Sequence, residues 1–445
     1  METEQTFTRG PILSTLLKFA LPVLLALLLQ AMYGAVDLQV VGKFGTAADI
    51  SAVSTGSQVL NLVTFVVTQL AMGITVLIAR YLGEKKEEQI GSIIGGGTVV
   101  FAAISLVLFV VMVGFARPIA VLMQAPEEAV GLTAAYIRIC GAGIFFIVAY
   151  NVLSAIFRGL GDSNSPLLFV FVACIVNIVG DLVLVAGLGM DAMGAALATV
   201  FAQALSVVFA IVRLVKKGLP FTITGYDFRW NPQCGKFLQI GLPLALQECL
   251  TQGSFLALCA FVNRLGLEAS SGYGVACKIV NFAMLIPSAL MQSTSSFVSQ
   301  NVGAGEQRRA KKTMFTGIGI GLLVGCFAFS LVFFRGDLLA GIFSADAAVV
   351  QRGYEYLKGF APETLLTAVL FSMMGYFNGN GKTVWVMLQG LIQTLLVRLP
   401  FAYYMSIQPD ASLTNIGLAA PISTAVGIVL NVAFFLYLEH AAKRS

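Results

Sequence analysis

Residues 19–45 read FALPVLLALLLQAMYGAVDLQVVGKFG. Between Phe19 and Gly42 only Gln30, Asp37 and Gln39 are strongly polar. An apolar run of about 20 residues in a helix crosses a hydrocarbon core of roughly 30 Å. The stretch therefore predicts a membrane helix with one carboxylate inside it. Sliding the chain against itself by about 220 residues finds its landmarks again. Leu21-Pro22 falls on Leu242-Pro243, and Lys43-Phe44-Gly45 on Arg264-Leu265-Gly266.

The match continues outward from that helix. Tyr81-Leu82-Gly83 and Asn301-Val302-Gly303 are each followed by charges. Tyr136-Ile137-Arg138 meets Tyr356-Leu357-Lys358, and Phe157-Arg158-Gly159-Leu160-Gly161 meets Phe377-Asn378-Gly379-Asn380-Gly381. Apolar composition aligns any two membrane segments, but five polar landmarks at a nearly constant offset mark a repeat. Helices are expected at about 14–41, 52–79, 91–115, 131–157, 166–187, 192–214, 236–262, 272–299, 313–334, 353–377, 383–407 and 415–438. The fold class is thus an all-α integral membrane protein of twelve transmembrane helices in two six-helix lobes. The division is an N-terminal lobe 1–214 (helices 1–6), a cytoplasmic linker 215–235 and a C-terminal lobe 236–445 (helices 7–12). A shift of six helices preserves orientation, so a pseudo-two-fold axis along the membrane normal is expected. That parallel repeat is an architecture of secondary transporters, with substrate between the halves.

Composition agrees. The chain is 58% hydrophobic and 11% charged, with a mean hydropathy of +0.88, whereas soluble domains carry roughly a quarter of charged residues. Even the longest polar connection, from Arg213 to Lys236, holds Leu219, Phe221, Ile223 and Trp230. The first apolar run is too long for a signal-peptide core and reads as a retained helix. With both termini inside, inner segments carry eighteen lysines and arginines against five in outer loops. The termini are therefore expected in the cytoplasm and the chain in an inner membrane. The net charge of +5 then reflects orientation, and no nucleic-acid partner is expected. Seven cysteines form no CxxC pair and read as small apolar filler. The single histidine, His440, lies in the tail. With no HExxH, DDxxD or serine–histidine arrangement, the chain does not read as an enzyme, and no cofactor beyond a coupling ion is expected.

An ionisable side chain in hydrocarbon costs roughly 2.5–3.5 kcal/mol on insertion scales, so each marks a candidate site. Asp37 lies late in helix 1, Asp181 well into helix 5 with Asn177 one turn before it, and Thr199 in the outer half of helix 6. All four reach the outer half of the first lobe at similar depth. Two carboxylates, an amide and a hydroxyl suit a small hard cation such as Na⁺, or two carboxylates sharing a proton. Asp37 at an interface, or Asn177 and Thr199 as helix-packing hydrogen bonders, are the plainer readings. The repeat partners of Asp37, Asn177 and Asp181 are Leu258, Val397 and Phe401, so this set is not duplicated. The second lobe offers Glu248, Glu363 and Arg398. The last two fall near the midplane, as a static pair or with a coupling or substrate role. Gln30, Tyr33 and Asn151 suit a cavity for flat organic molecules, or core packing. Gly91, Gly95, Gly96 and Gly97 on helix 3, and Gly317, Gly319, Gly321 and Gly325 on helix 9, allow close helix approach or bending. Pro22 and Pro243 are expected to distort helices 1 and 7.

The helix 1 stretch, IFRGLGDSNSP after helix 4 and NIVGDLVLVAGLGMDAMGAALAT across helices 5 and 6 closely resemble the multidrug and toxic compound extrusion (MATE) transporters. The resemblance covers essentially the whole chain and is nearest the prokaryotic members with an N-lobe acidic cluster. It implies a V-shaped, two-lobed antiporter that exports organic, often cationic compounds in exchange for Na⁺ or H⁺, here expected to act as a monomer. The family's cation site matches Asp37, Asn177, Asp181 and Thr199 residue by residue. Gln30, Tyr33 and Asn151 fall where related members line the drug cavity. Another branch carries acidic residues on helices 7 and 10. Glu248 and Glu363 sit about a turn away from those positions, so that role is not carried onto them. The alternative is a lipid-linked or polysaccharide precursor flippase of the same superfamily, which should carry more cationic cavity residues.

Overall fold

The computed structural model describes residues 7–216 and 223–444; Lys217, Leu219 and Phe221 of the connection lie outside them. Helix is the only regular secondary structure among the described residues. Ten helices are long and apolar enough to cross a membrane, and two bent pairs bring the number to twelve if each is one span.

The spans are α1 (Ile12–Phe44), α2 (Ala47–Gly83), α3 (Ile90–Gly114), α4 (Val130–Ala142 with Ile144–Gly159) and α5 (Asn164–Asp181, running on through a π-turn, Leu182–Gly187). Next come α6 (Asp191–Lys216), α7 (Pro232–Asn263), α8 (Leu267–Gly303), α9 (Gln307–Gly341) and α10 (Ala347–Phe360 with Glu363–Gly379). Last are α11 (Thr383–Leu391, a π-stretch Ile392–Arg398, then Leu399–Ser406) and α12 (Leu413–Gly417 with Ala419–Ala442).

The spans expected at 131–157 and 353–377 are present, each as a bent pair of helices. α4 bends by 54° and α10 by 48°. The breaks fall at Gly143 and at Ala361-Pro362, matching places in the repeat. Pro362 cannot donate into the ladder, which explains the second break. At Gly143 a side chain would collide with Val200 of α6. Pro22 and Pro243, by contrast, sit inside unbroken helices.

The chain forms two compact units: Leu21–Ala245 with Gly303–Gly305, and Thr8–Ala20 with Leu246–Val302 and Glu306–Ser445. In the first, α4 packs on α2, α3 and α6, and α5 on α6. In the second, α10 packs on α9 and α12, and the π-stretch of α11 on α12. Each unit thus pairs its third helix with its fourth, its fourth with its sixth and its fifth with its sixth, the internal counterpart of the sequence repeat.

The start of α2 is held by a reciprocal cap. Asp49 Oδ2 accepts from the Thr46 amide at 3.0 Å, and the Asp49 amide donates to Thr46 Oγ1 at 3.3 Å. This buried carboxylate is occupied structurally.

The helix 3 glycines serve two neighbours. A methyl at Gly97 would meet Ile74 of α2, as helix packing requires, but one at Gly96 would meet Cys234 and Asn231, and one at Gly95 the backbone of Asp227. The connection itself therefore seats on α3. Asp227 accepts from Ser92 Oγ at 2.7 Å and from the Thr224 amide at 2.8 Å, while Asn231 Nδ2 donates to Ser92 O at 2.8 Å. The Thr224 amide, then Ser92, hold the Asp227 carboxyl below its ordinary range. A depressed carboxylate adds stability above its unfolded value that is lost as pH falls through the folded one. Proteolysis at Arg229 is expected to stay slow in the wild type until the pH drops below the usual aspartate range. Asp227→Asn should raise it already at neutral pH, and equal rates at pH 7 would sink the assignment.

Candidate cation site

α5 and α6 approach closely because small residues meet where they cross. A methyl on Gly180 would come within 2.9 Å of Ala198 Cβ. Their chain neighbours, Asp181 and Thr199, are therefore drawn together, and Asn177 follows one turn before Asp181 on the same face. From α1, Asp37 completes the group. None of the four is more than 4% exposed.

Thr199 is the hub. Its hydroxyl lies 3.3 Å from Asp37 Oδ2 and 3.0 Å from the Ala195 carbonyl, and it accepts from Asn177 Nδ2 at 3.4 Å. One hydroxyl proton serves only one of those two acceptors at a time. Asp37 and Asp181 lie close enough to interact directly, while Asn177 reaches Thr199. Four buried oxygens have no donor: Asp37 Oδ1, Asn177 Oδ1, and Oδ1 and Oδ2 of Asp181. A cluster this rich in acceptors is satisfied by positive charge. The donor set contains neither sulfur nor imidazole, the ligands softer metals prefer. Na⁺ or a shared proton fits it.

Gln30, Tyr33 and Asp37 follow one stripe of α1. Tyr33 OH accepts from Gln203 Nε2 at 3.4 Å, and Gln203 Oε1 has no partner. Gln203 was not singled out in the sequence, although it lies one turn after Thr199 on the same face of α6. Tyr136, used above only as a repeat landmark, lies within electrostatic reach of Asp37 and Asp181. Asn151 is not brought into this group. Its amide donates to Ile147 O at 2.8 Å and its oxygen accepts from Thr68 at 2.9 Å, tying α4 to α2.

In the second unit the structure brings Glu363 and Arg398 together but not closely, at 3.9 Å. Glu363 is the first residue after the α10 bend rather than a mid-helix residue. Thr424 Oγ1 donates to its Oε1 at 2.8 Å, and Gln393 Nε2 donates to Thr424 at 3.0 Å. Gln389, in turn, donates to Gln393. These three partners were missed in the sequence. Glu248 on α7 is half-buried and accepts from Gln252 at 2.7 Å.

The family model MatE matches residues 22–183 and 243–404, once in each half of the chain. Probable multidrug resistance protein YpnP of Bacillus subtilis is 25% identical over 401 residues, covering 90% of both chains. Multidrug export protein MepA of Staphylococcus aureus is 26% identical over 405 residues, covering 88% of both. Among solved structures, an outward-facing multidrug resistance MATE family transporter superimposes with a TM-score of 0.93 over the whole of both chains at 21% identity. A MATE protein in complex with MaL6 gives 0.92 at 22% identity. At those identities the structural likeness speaks for the fold alone.

Proposed function

This chain belongs to the MATE (MatE) family of multi-pass membrane transporters, and from that premise we propose that it is an antiporter exporting organic, often cationic compounds in exchange for Na⁺ or H⁺. The observation that carries the coupling half of this reading is the buried acceptor cluster around Asp37 and Asp181. In a low-dielectric site two facing carboxylates cannot both stay charged without a cation or a proton between them. Loading from outside supplies that charge, and unloading inside leaves the pair to be refilled. A cation drives alternating access only if it binds one facing state better than the other. Drug and cation then compete, directly or through α1, which carries Gln30, Tyr33 and Asp37 on one stripe.

The names of YpnP and MepA speak for multidrug substrates, and the precursor-flippase alternative is not favoured. The positive loops favour cytoplasmic termini, the bacterial relatives favour a prokaryotic inner membrane, and a single chain holds a complete acidic group, in keeping with a monomer.

Proteoliposomes tested with Na⁺ and proton gradients imposed separately are expected to show drug efflux under one gradient and none without either. Drug affinity in detergent should fall as the effective cation rises. An affinity indifferent to both Na⁺ and pH would overturn the coupling.

A further inference from the structure

The connection between the two halves of the chain carries Tyr226, Phe228 and Trp230 at every second position, with Arg229 among them. All four residues are exposed, the aromatic ones by 80%, 49% and 67%. Asp227 and Asn231 turn the other way, onto Ser92 of α3. The segment is thus seated by its polar side chains and leaves its aromatic ones open. α3 sets its height. At 25 residues that helix is about 37 Å long, so it overruns a hydrocarbon core of roughly 30 Å by a few ångström at each end. Ser92, Gly95 and Gly96, which hold the connection, lie about 3–9 Å from its start. The seat is therefore at the boundary between headgroups and hydrocarbon, where tyrosine and tryptophan are enriched. From Arg213 to Lys236 the sequence carries five basic residues and one acidic one, Asp227. Lys236 is held by the Tyr81 hydroxyl at 2.8 Å, whereas Arg229 stands in the open among the rings.

We propose that residues 223–231 dock the connection on an anionic lipid surface, with Tyr226, Phe228 and Trp230 in the headgroup layer and Arg229 on lipid phosphate. Tyrosine and tryptophan combine an apolar body with a polar tip, which suits them to a place where water gives way to hydrocarbon. The segment is already ordered on α3, so little chain entropy remains to be lost on docking. A basic residue beside an anionic leaflet strengthens the preference several-fold. The partner is a lipid surface rather than a protein because the seat lies at the membrane's own boundary and its charge opposes that of the headgroups. The inference goes beyond the export reading and stands without it, since lipid contact is measured without transport.

The chain has two tryptophans. Trp385 is stacked on Phe434 with ring centres 4.2 Å apart, so Trp385→Phe keeps an aromatic pair there and leaves Trp230 as the sole fluorophore. The full-length variant is placed in nanodiscs of phosphatidylcholine mixed with phosphatidylglycerol. Bromine, which quenches tryptophan on contact, is carried by the acyl chains of one lipid or the other at the same mole fraction. Brominated phosphatidylglycerol is expected to quench Trp230 at least about twofold more than brominated phosphatidylcholine. Aqueous acrylamide should quench it less than it quenches free tryptophan. Arg229→Gln should shrink the difference between the two lipids. If Trp385→Phe does not fold, the quenching that Trp230→Phe removes from the wild type reports the same residue. Equal quenching by the two lipids, or acrylamide quenching as strong as for free tryptophan, overturns the docking. A difference unchanged in Arg229→Gln overturns the phosphate contact.

Discussion

Asp37→Asn and Asp181→Asn, made singly, are expected to reduce drug efflux from proteoliposomes to the level of protein-free vesicles. Both substitutions conserve volume, so the packing of Gly180 against Ala198 and the Thr199 hub remain. What changes is the balance of donors and acceptors. The native cluster has four buried oxygens without a donor, and only a cation or proton answers them. An asparagine brings an N–H pair into that space and answers them permanently. The variants should therefore fold and insert normally, with a melting temperature in detergent equal to or above the wild type, while losing all dependence of drug affinity on the coupling ion. Thr199→Ala should be milder. Loss of a hydrogen bond of about 1 kcal/mol corresponds to about fivefold weaker cation affinity. Full efflux by either asparagine variant would rule out an essential coupling role for that carboxylate.

Removing one partner of the Glu363–Arg398 pair should destabilise the second unit by about 3 kcal/mol, the low end of the range for a broken buried pair. The low end applies because the separation is 3.9 Å and Arg398 keeps some exposure. Glu363→Gln leaves a guanidinium facing only Phe255, and Arg398→Gln leaves a carboxylate answered by Thr424 alone. The double variant carries no buried charge and should melt above the worse single variant. Thermal melts of the four chains in one detergent decide the matter. A double variant that melts no higher than the worse single one defeats the pairing.

Hydropathy, charge and the repeat of polar landmarks were enough, without tertiary structure, to place the membrane spans, to mark a repeat between the two halves and to name Asp37, Asn177, Asp181 and Thr199 as candidates. These features are legible because each is local or additive. A membrane helix is declared by about 20 residues of its own, and Asn177 and Asp181 share a face because four residues make about one turn. What the tertiary structure alone decided depends on backbone geometry that breaks this arithmetic. In an α-helix Gln393 and Arg398, five residues apart, would point about 140° away from each other. The π-stretch Ile392–Arg398 closes i→i+5 hydrogen bonds instead and carries both toward one face. Gln389 and Gln393, four residues apart, share a face by ordinary helix spacing, but only the packing of α11 on α12 brings them to Thr424 and, through it, to Glu363. The α10 bend likewise turns Glu363 from a mid-helix residue into the head of a new segment. Gly95 and Gly96 read as helix-packing residues because nothing in the chain distinguishes a helix from a loop as the neighbour to be approached. Only the fold seats Asp227 and Asn231 there. Composition measures what a segment wants to leave water for, but which groups meet afterwards is set by close approach between residues distant in sequence.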